Sequence, residues 1–120
     1  MCILENGCYC VWLNINGEWK PYVLDDWIPV VSGKPAFSQA KGPELWVLLL
    51  EKAYAKAYKS YLNLEGGDPA TALRDLTGAP TESIEFEDKT DKEIFKFLLT
   101  AEKNKWILTC YTGMGAVREE

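Results

Sequence analysis

The chain has 120 residues, and 13 basic against 18 acidic side chains give it a formal net charge of −5. It contains no histidine, which excludes a Ser/His/Asp triad, a Cys/His dyad and every histidine-containing metal site that this chain could build alone. The acidic balance argues against a nucleic-acid partner, which needs a basic face. At 48% hydrophobic residues the chain is too apolar to be disordered, and its length fits one ordinary domain.

The first residues and the cysteines predict the cellular compartment. Residues 1–10 lack the basic start and long apolar stretch of a signal peptide, and no apolar run approaches the roughly 18 residues of a membrane span. The four cysteines, at positions 2, 8, 10 and 110, do not have the spacing of a zinc site. We therefore expect free thiols and a cytoplasmic protein without a transmembrane segment.

The first predicted elements are two strands joined by a tight turn. Residues 8–13 are apolar, and Asn16-Gly17 indicates a two-residue hairpin turn because both positions tolerate a positive φ. Residues 19–24 form the returning strand, in which Pro21 predicts an edge position or a pairing that begins after it. Residues 25–30 are expected to be extended or turning, and residues 32–35 to form a loop.

Three helices are predicted further along the chain. The first opens at Pro43-Glu44, carries an apolar start over residues 45–50 that is typical of burial on several sides, and ends near residue 58 or 61. The second begins with Asp68 as N-cap and ends at Gly78, with Ala72, Leu73 and Leu76 facing inward. The third covers about residues 91–103, behind a capping box. Residues 83–86 and 106–111 are predicted strands, and residues 113–120 a loose tail.

Two interpretations are open for each of the acidic candidate sites. Asp25-Asp26 could hold a metal or serve acid–base chemistry, but neighbours in an extended chain point to opposite faces, and a turn with one carboxylate capping backbone N–H groups is the alternative. Glu44 is either a metal ligand or a favourable charge at a helix start.

The remaining candidates predict structure rather than chemistry. Cys10 and Cys110 lie in predicted strands without an activating histidine, so neither is expected to be a nucleophile. Gly66-Gly67-Asp68 lacks the lysine and serine of a phosphate-binding loop. Four aromatic residues at helical spacing are predicted to belong to the core rather than to a ligand cage. They are Trp46, Tyr54, Tyr58 and Tyr61.

Four blocks of sequence carry a resemblance to a known family. They are Gly17-Glu18-Trp19 with Val23-Leu24-Asp25-Asp26-Trp27-Ile28-Pro29; Glu44 to Lys56, which reads ELWVLLLEKAYAK; Ser60-Tyr61 with Leu64 and Gly66-Gly67; and Ala72-Leu73 with Asp75-Leu76-Thr77-Gly78 and Pro80. Together they resemble the protease core of calpain-type cysteine peptidases over about residues 8–113. These motifs are more similar to those of the calpains of plants, protists and the small-optic-lobes type, which lack EF-hands. Lys59 stands where the family commonly has glycine.

The resemblance implies an α+β chain that is part of a papain-like fold. Residues 1–67 would complete the first subdomain of the protease core, and residues 68–120 would begin the second. The family's nucleophile block, Q-G-x-x-G-D-C-W, and its G-H-A-Y and N-P-W-G blocks do not occur in this sequence. No catalytic residue is therefore carried over, and we expect a catalytically incomplete part of a calcium-dependent cysteine endopeptidase.

The resemblance also implies a cofactor and partners. The glutamate that opens the E-[LF]-W helix is a calcium ligand in conventional calpains, so Glu44 is expected to bind calcium in a complete core, together with ligands from other loops, and only weakly in this chain. The implied partners are the rest of the core or a full-length calpain, protein substrates of the parent enzyme, and further copies of the chain through exposed apolar surface. The alternative is a non-catalytic interaction or regulatory module, acting for example on the cytoskeleton.

Overall fold

In the computed structural model the described residues are 2–3, 7–64 and 66–110. The chain divides into two compact units, residues 1–81 and 82–120. The first contains strands β1 (Cys2–Ile3), β2 (Tyr9–Ile15), β3 (Glu18–Leu24), β4 (Val30–Val31) and β5 (Lys34–Pro35), helices α1 (Trp46–Ala57) and α2 (Pro69–Thr77), and a 3₁₀ turn at Leu62–Leu64. The second contains a 3₁₀ turn at Phe86–Asp88 and helix α3 (Asp91–Asn104). Helices and small antiparallel sheets confirm the predicted α+β class.

The predicted hairpin supplies two strands of a three-stranded antiparallel sheet. Its order is β1-β2-β3, with β2 in the centre. Ile15 pairs with Glu18 across the turn, where Asn16 and Gly17 have φ angles of 56° and 83°. These are the positive angles that a two-residue turn needs to match the twist of the strands. Pro21 of β3 pairs with Trp12 of β2. Strand β3 is an edge strand of this sheet, as the proline predicts.

A second, smaller hairpin lies where a loop was predicted. Strands β4 and β5 pair antiparallel, with Val31 opposite Lys34. The turn between them consists of Ser32 and Gly33, whose φ angles are 51° and 78°. Ser-Gly is a weaker turn signal than Asn-Gly, and each strand has only two residues, so the alternation that would indicate a strand is absent from the sequence.

Helix α1 packs on the sheet and completes the core of the first unit. The buried cluster consists of Val11, Leu13, Leu24 and Ala53. Alternate residues of β2 and the alanine face of α1 thus meet, which removes the apolar sides of both elements from water.

The start of α1 differs from the prediction. Pro43 and Glu44 precede the helix, and Leu45 is its N-cap residue. The apolar start is covered only in part: Leu48 and Leu49 are buried, whereas the side chain of Trp46 is 53% exposed. After the helix, Lys59 adopts a φ of 75°. This left-handed region favours glycine, which accounts for the family's usual residue at that position.

Two lysines of α1 tie the helix to the end of β3 and the turn beyond it. Lys52 Nζ donates to the carbonyl oxygens of Asp25 at 3.1 Å and Trp27 at 2.6 Å. One turn later, Lys56 Nζ donates to the carbonyl oxygen of Val23 at 2.8 Å. Both ammonium groups therefore satisfy backbone acceptors that the sheet itself does not use.

Helix α2 has the predicted caps. The carboxylate of Asp68 accepts hydrogen bonds from the backbone N–H groups of Ala70 and Thr71 at 3.1 and 3.0 Å. At the other end Gly78 has a φ of 70°, and a Cβ added to it would lie 2.9 Å from Cζ2 of Trp19. Glycine is thus required there both by the backbone angle and by the close approach of the hairpin.

The inward face of α2 carries an acid that the prediction missed. Leu76 is 39% exposed, whereas Asp75 is only 1% exposed. Tyr54 donates its hydroxyl hydrogen to Asp75 Oδ2 at 2.9 Å, and Tyr58 donates to the same oxygen. The pKa of Tyr54 is strongly raised, first by burial and then by these contacts with Asp75, so its hydroxyl stays a donor.

The second unit is mostly helix. The predicted capping box is confirmed at the start of α3, because the carboxylate of Glu93 accepts from the backbone N–H of Thr90 at 2.9 Å. The strand predictions were wrong: residues 83–86 contain the start of a 3₁₀ turn, and residues 106–110 have no regular structure. Tyr111 and the predicted tail lie outside the described residues. Nowhere in the described part of the chain does a helix have the length and apolar character of a membrane span.

Tyr58→Phe is expected to lower the free energy of unfolding by about 1.5 kcal/mol, because it removes one of the two hydroxyl donors to a buried carboxylate. The measurement is urea-induced unfolding followed by tryptophan fluorescence. Tyr22→Phe is the matched control, since among the described residues the Tyr22 hydroxyl donates to no side chain, and its effect should stay within about 0.5 kcal/mol. Equal losses in both variants would show that Asp75 does not depend on Tyr58.

Candidate functional site

The predicted calcium ligand lies in the loop between β5 and α1. Glu44 is exposed and immediately precedes the N-cap residue Leu45, and none of the first-turn residues of the helix is acidic. Its carboxylate folds back towards Gly42, where an added Cβ would lie 3.6 Å from Oε2 of Glu44. The side chain therefore stands beside the helix start with its oxygens accessible.

Two contacts fasten the first part of this loop, one to α1 and one to the segment that follows it. The carboxylate of Glu51 accepts hydrogen bonds from the Ser38 backbone N–H, at 3.1 and 3.2 Å to its two oxygens, and from the Ser38 hydroxyl at 2.6 Å. The ring of Phe37 stacks on that of Tyr61, with centroids 4.5 Å apart and an interplanar angle of 4°. The pKa of Tyr61 is raised, mainly by burial. Sequence analysis missed this anchorage, since Ser38 and Glu51 are 13 residues apart.

The anchored loop forms an open cleft with Glu44 at its edge. The cleft has a volume of about 260 Å³, and its lining also includes Lys34, Gln39 and Leu48. It thus combines one carboxylate, one amide and one ammonium group with an apolar floor.

The described residues do not by themselves form a calcium site. Calcium takes six to eight oxygen ligands, and the cleft offers the carboxylate of Glu44 and the amide oxygen of Gln39 beside the cationic Lys34. Within residues 2–3, 7–64 and 66–110 no three acidic, histidine or cysteine side chains are grouped to hold a metal. Binding of calcium by Glu44 stays a prediction for a complete core.

The paired aspartates form the turn that was the alternative to a metal site. Asp25 Oδ1 accepts a hydrogen bond from the Trp27 backbone N–H at 2.9 Å and also binds the ammonium group of Lys52. The contact with Lys52 is the main cause that lowers the pKa of Asp25. Asp26 is exposed. Asp25 thus holds the turn and binds Lys52, whereas Asp26 faces solvent.

The cysteines considered as nucleophiles are not activated. Cys10 is buried in β2, and burial is the main cause that raises the pKa of its thiol, followed by the neighbouring Cys2. A raised pKa keeps the sulfur protonated and therefore weakly nucleophilic. Cys110 is exposed outside any regular element, which differs from the buried strand predicted. All four cysteines are free.

The four predicted aromatic residues divide between core and surface. Tyr54 and Tyr58 lie 4.9 Å apart between their ring centroids and share Asp75 as acceptor. Tyr61 belongs to the loop anchorage, whereas Trp46 is half-exposed on the first turn of α1. Tyr54 packs against the buried cluster, as the core interpretation predicts, whereas Tyr58 and Tyr61 are partly buried outside it.

Comparisons with known proteins place this arrangement in a family. A sequence model described as calpain family cysteine protease matches residues 3–120. The chain is 55% identical over 83 residues to the calpain-type cysteine proteases DEK1 of Arabidopsis thaliana and ADL1 of Oryza sativa, which covers 68% of the chain and 4% of each relative. It is 38% identical over 102 residues to the human calpain-1 catalytic subunit, which covers 84% of the chain and 14% of that protein.

The family model spans nearly all of this chain, whereas the chain spans only 4% of the plant relatives and 14% of human calpain-1. The observed helices and antiparallel sheets are consistent with part of a papain-like protease core. The motif blocks that carry the match supply the contacts described above, from Lys52 on the turn at Asp25 to Tyr54 on Asp75. The chain belongs to the calpain family of cysteine proteases.

Proposed function

We propose that this chain is part of the protease core of a calcium-dependent cysteine endopeptidase and is catalytically incomplete by itself. The observation that carries the proposal is the family match over residues 3–120. In the complete core, residues 1–67 would close the first subdomain and residues 68–120 would begin the second. Four free cysteines fit the reducing cytoplasm, where we place the protein.

The exposed apolar surface supports an incomplete core. Large hydrophobic side chains of both units are half-exposed or more, and they include Trp12, Trp19, Trp27, Trp46, Phe86, Phe95, Trp106 and Ile107. Each such side chain gains roughly 1.5 to 3 kcal/mol when it is fully buried. We assign these exposed side chains to contacts with the rest of the core.

The residues of this chain would position a calcium ligand in the complete core and would not cleave the peptide bond themselves. Cleavage of a peptide bond by the family chemistry needs a thiolate and an imidazolium, and the chain has no histidine. What it holds is the anchored loop that presents Glu44 beside α1. In a complete core this carboxylate would supply one ligand to calcium, whose charge would fix the loop relative to the other ligands.

The isolated chain is expected to hydrolyse casein or a fluorogenic peptide no faster than buffer, because it lacks an imidazole base and the Cys10 thiol is held protonated. Hydrolysis that disappears in Cys10→Ser or Cys110→Ser would contradict incompleteness.

A chimaera tests the positive half of the proposal. Residues 8–110 replace the matching segment of a plant calpain-type cysteine protease, and calcium-dependent cleavage of casein should be retained; the host with its nucleophile changed to serine is the control. A chimaera that folds but does not cleave would favour the non-catalytic interaction module instead.

Calcium is expected to bind the isolated chain only in the millimolar range or more weakly, because Glu44 supplies few of the six to eight ligands required. Isothermal titration calorimetry measures this affinity. In the complete core, Glu44→Gln should raise the calcium concentration needed for activity, whereas Glu18→Gln, which alters an exposed acid on the hairpin, should not. Micromolar affinity of the isolated chain, or an unchanged requirement in Glu44→Gln, would contradict the assignment.

The isolated chain is expected to be marginally folded, to bind a hydrophobic dye and to self-associate. Loss of three or four buried contacts is comparable with a typical net stability of about 5 to 15 kcal/mol. Sedimentation velocity should show Trp46→Ser shifted towards monomer, while Lys41→Ser, an exposed change in the preceding loop, leaves the distribution unchanged. A monomer with a cooperative melt above about 60 °C would rule out an incomplete core.

A further inference from the structure

Two cysteines face each other across the first pair of strands. Cys2 of β1 lies directly opposite Cys10 of β2 in the antiparallel ladder, and the next pair is Ile3 with Tyr9. Side chains of directly opposite residues lie on the same face of a sheet, with Cβ atoms about 4.5 to 5.5 Å apart. The register therefore brings two thiols together from opposite sides of a short loop.

The orientation of the backbone defines the kind of pair. Pro21 takes part in the β2–β3 ladder without an N–H group, so its nitrogen lies on the outer side of β3. Val23, two residues later, has the same orientation and faces Cys10. The backbone groups of Val23 point away from β2, so Val23 and Cys10 exchange no hydrogen bonds with each other. The N–H and C=O groups of Cys10 therefore point to the other side of β2, towards β1. Such hydrogen-bonded pairs have Cα atoms about 5.5 Å apart, and disulfides span about 4.4 to 6.8 Å.

The two thiols differ in access to solvent. Cys2 is exposed, whereas Cys10 is only 6% exposed. The pKa of Cys10 is raised by burial and by the neighbouring Cys2. The solvent-facing sulfur of Cys2 is thus the one that an oxidant in solution can reach, with a protected second sulfur beside it.

The other two cysteines are not placed for this pairing. Cys8 precedes β2, and in the described part of the β1–β2 register it is Cys10 that faces Cys2. Cys110 belongs to the second compact unit.

We propose that Cys2 and Cys10 form a reversible disulfide that fastens β1 to the sheet in response to peroxide. The Cys2 thiol loses its proton, and the thiolate attacks one oxygen of hydrogen peroxide. The O–O bond breaks, the sulfur becomes a sulfenic acid, and the hydroxide released takes up the proton lost from the thiol and leaves as water. The Cys10 sulfur then attacks the sulfur of Cys2, the S–O bond breaks, and hydroxide leaves with the Cys10 proton as a second water. Two thiols and one peroxide thus give one disulfide and two waters, and a dithiol reductant reverses the reaction.

The crosslink acts on the shortest strand of the three-stranded sheet. Among the residues that the structure describes, β1 contributes Cys2 and Ile3 to the ladder. A covalent bond at the Cys2–Cys10 pair closes a short loop and restricts the separation of β1 in the unfolded chain. This disulfide is independent of the proposed proteolytic role, since it uses no group assigned to that role.

The test is oxidation of the whole chain by hydrogen peroxide, followed by alkylation of free thiols and peptide mass mapping. The expected product is an intramolecular Cys2–Cys10 disulfide, which Cys8→Ser and Cys110→Ser retain and which Cys2→Ser and Cys10→Ser lose. In Cys10→Ser the sulfenic acid of Cys2 should persist and react with dimedone. Oxidation should raise the Tm by about 4 °C or more, and dithiothreitol should reverse the shift.

The same oxidation of the chain unfolded in urea gives the reference distribution of pairings. A folded chain with that same distribution, a predominant Cys8–Cys10 bond, or crosslinking between copies through Cys110 would overturn the proposal. So would a Cys2–Cys10 bond that leaves the Tm unchanged. The readout does not involve proteolysis, so its failure is distinct from failure of the proposed function.

Discussion

The structure of the first unit depends on the buried carboxylate of Asp75. A carboxyl group that is 1% exposed is costly unless it is hydrogen-bonded. The two tyrosine hydroxyls that satisfy it come from Tyr54 in α1 and from Tyr58, the C-cap residue of that helix, and Arg74 Nε lies 3.7 Å from the other oxygen. These contacts hold α2 against α1, with the end of α2 close to the hairpin. There Gly78 lies beside the ring of Trp19, where a larger residue would collide. One buried polar group thus links α2 to α1 beside the hairpin.

The family motifs have a physical explanation in these contacts. In the block from Glu44 to Lys56, the lysines satisfy carbonyl groups of the aspartate turn and of β3, while Tyr54 reaches the block that contains Asp75. Each motif is thus half of an interaction whose other half lies in a different motif. This mutual dependence accounts for their appearance together, and it holds whether or not the chain performs chemistry.

Local signals predicted the elements whose cause is local. The turn at Asn16-Gly17 and the caps of α2 and α3 follow from a few neighbouring residues, and the structure confirms them. Residues 83–86 and 106–110 have apolar content suited to strands, but a strand needs a partner, and the described residues of the second unit contain no strand. Burial of Asp75 and the pairing of Cys2 with Cys10 depend on contacts distant in sequence, which periodicity cannot reveal.

The outer edge of β3 is closed to a further strand. Pro21 offers no N–H on that side, and the carbonyl of Val23 is already occupied by Lys56. An edge of this kind resists the continuous backbone pairing from which amyloid fibrils grow. Copies of this chain would consequently meet at this edge through side chains rather than through a continuous backbone ladder.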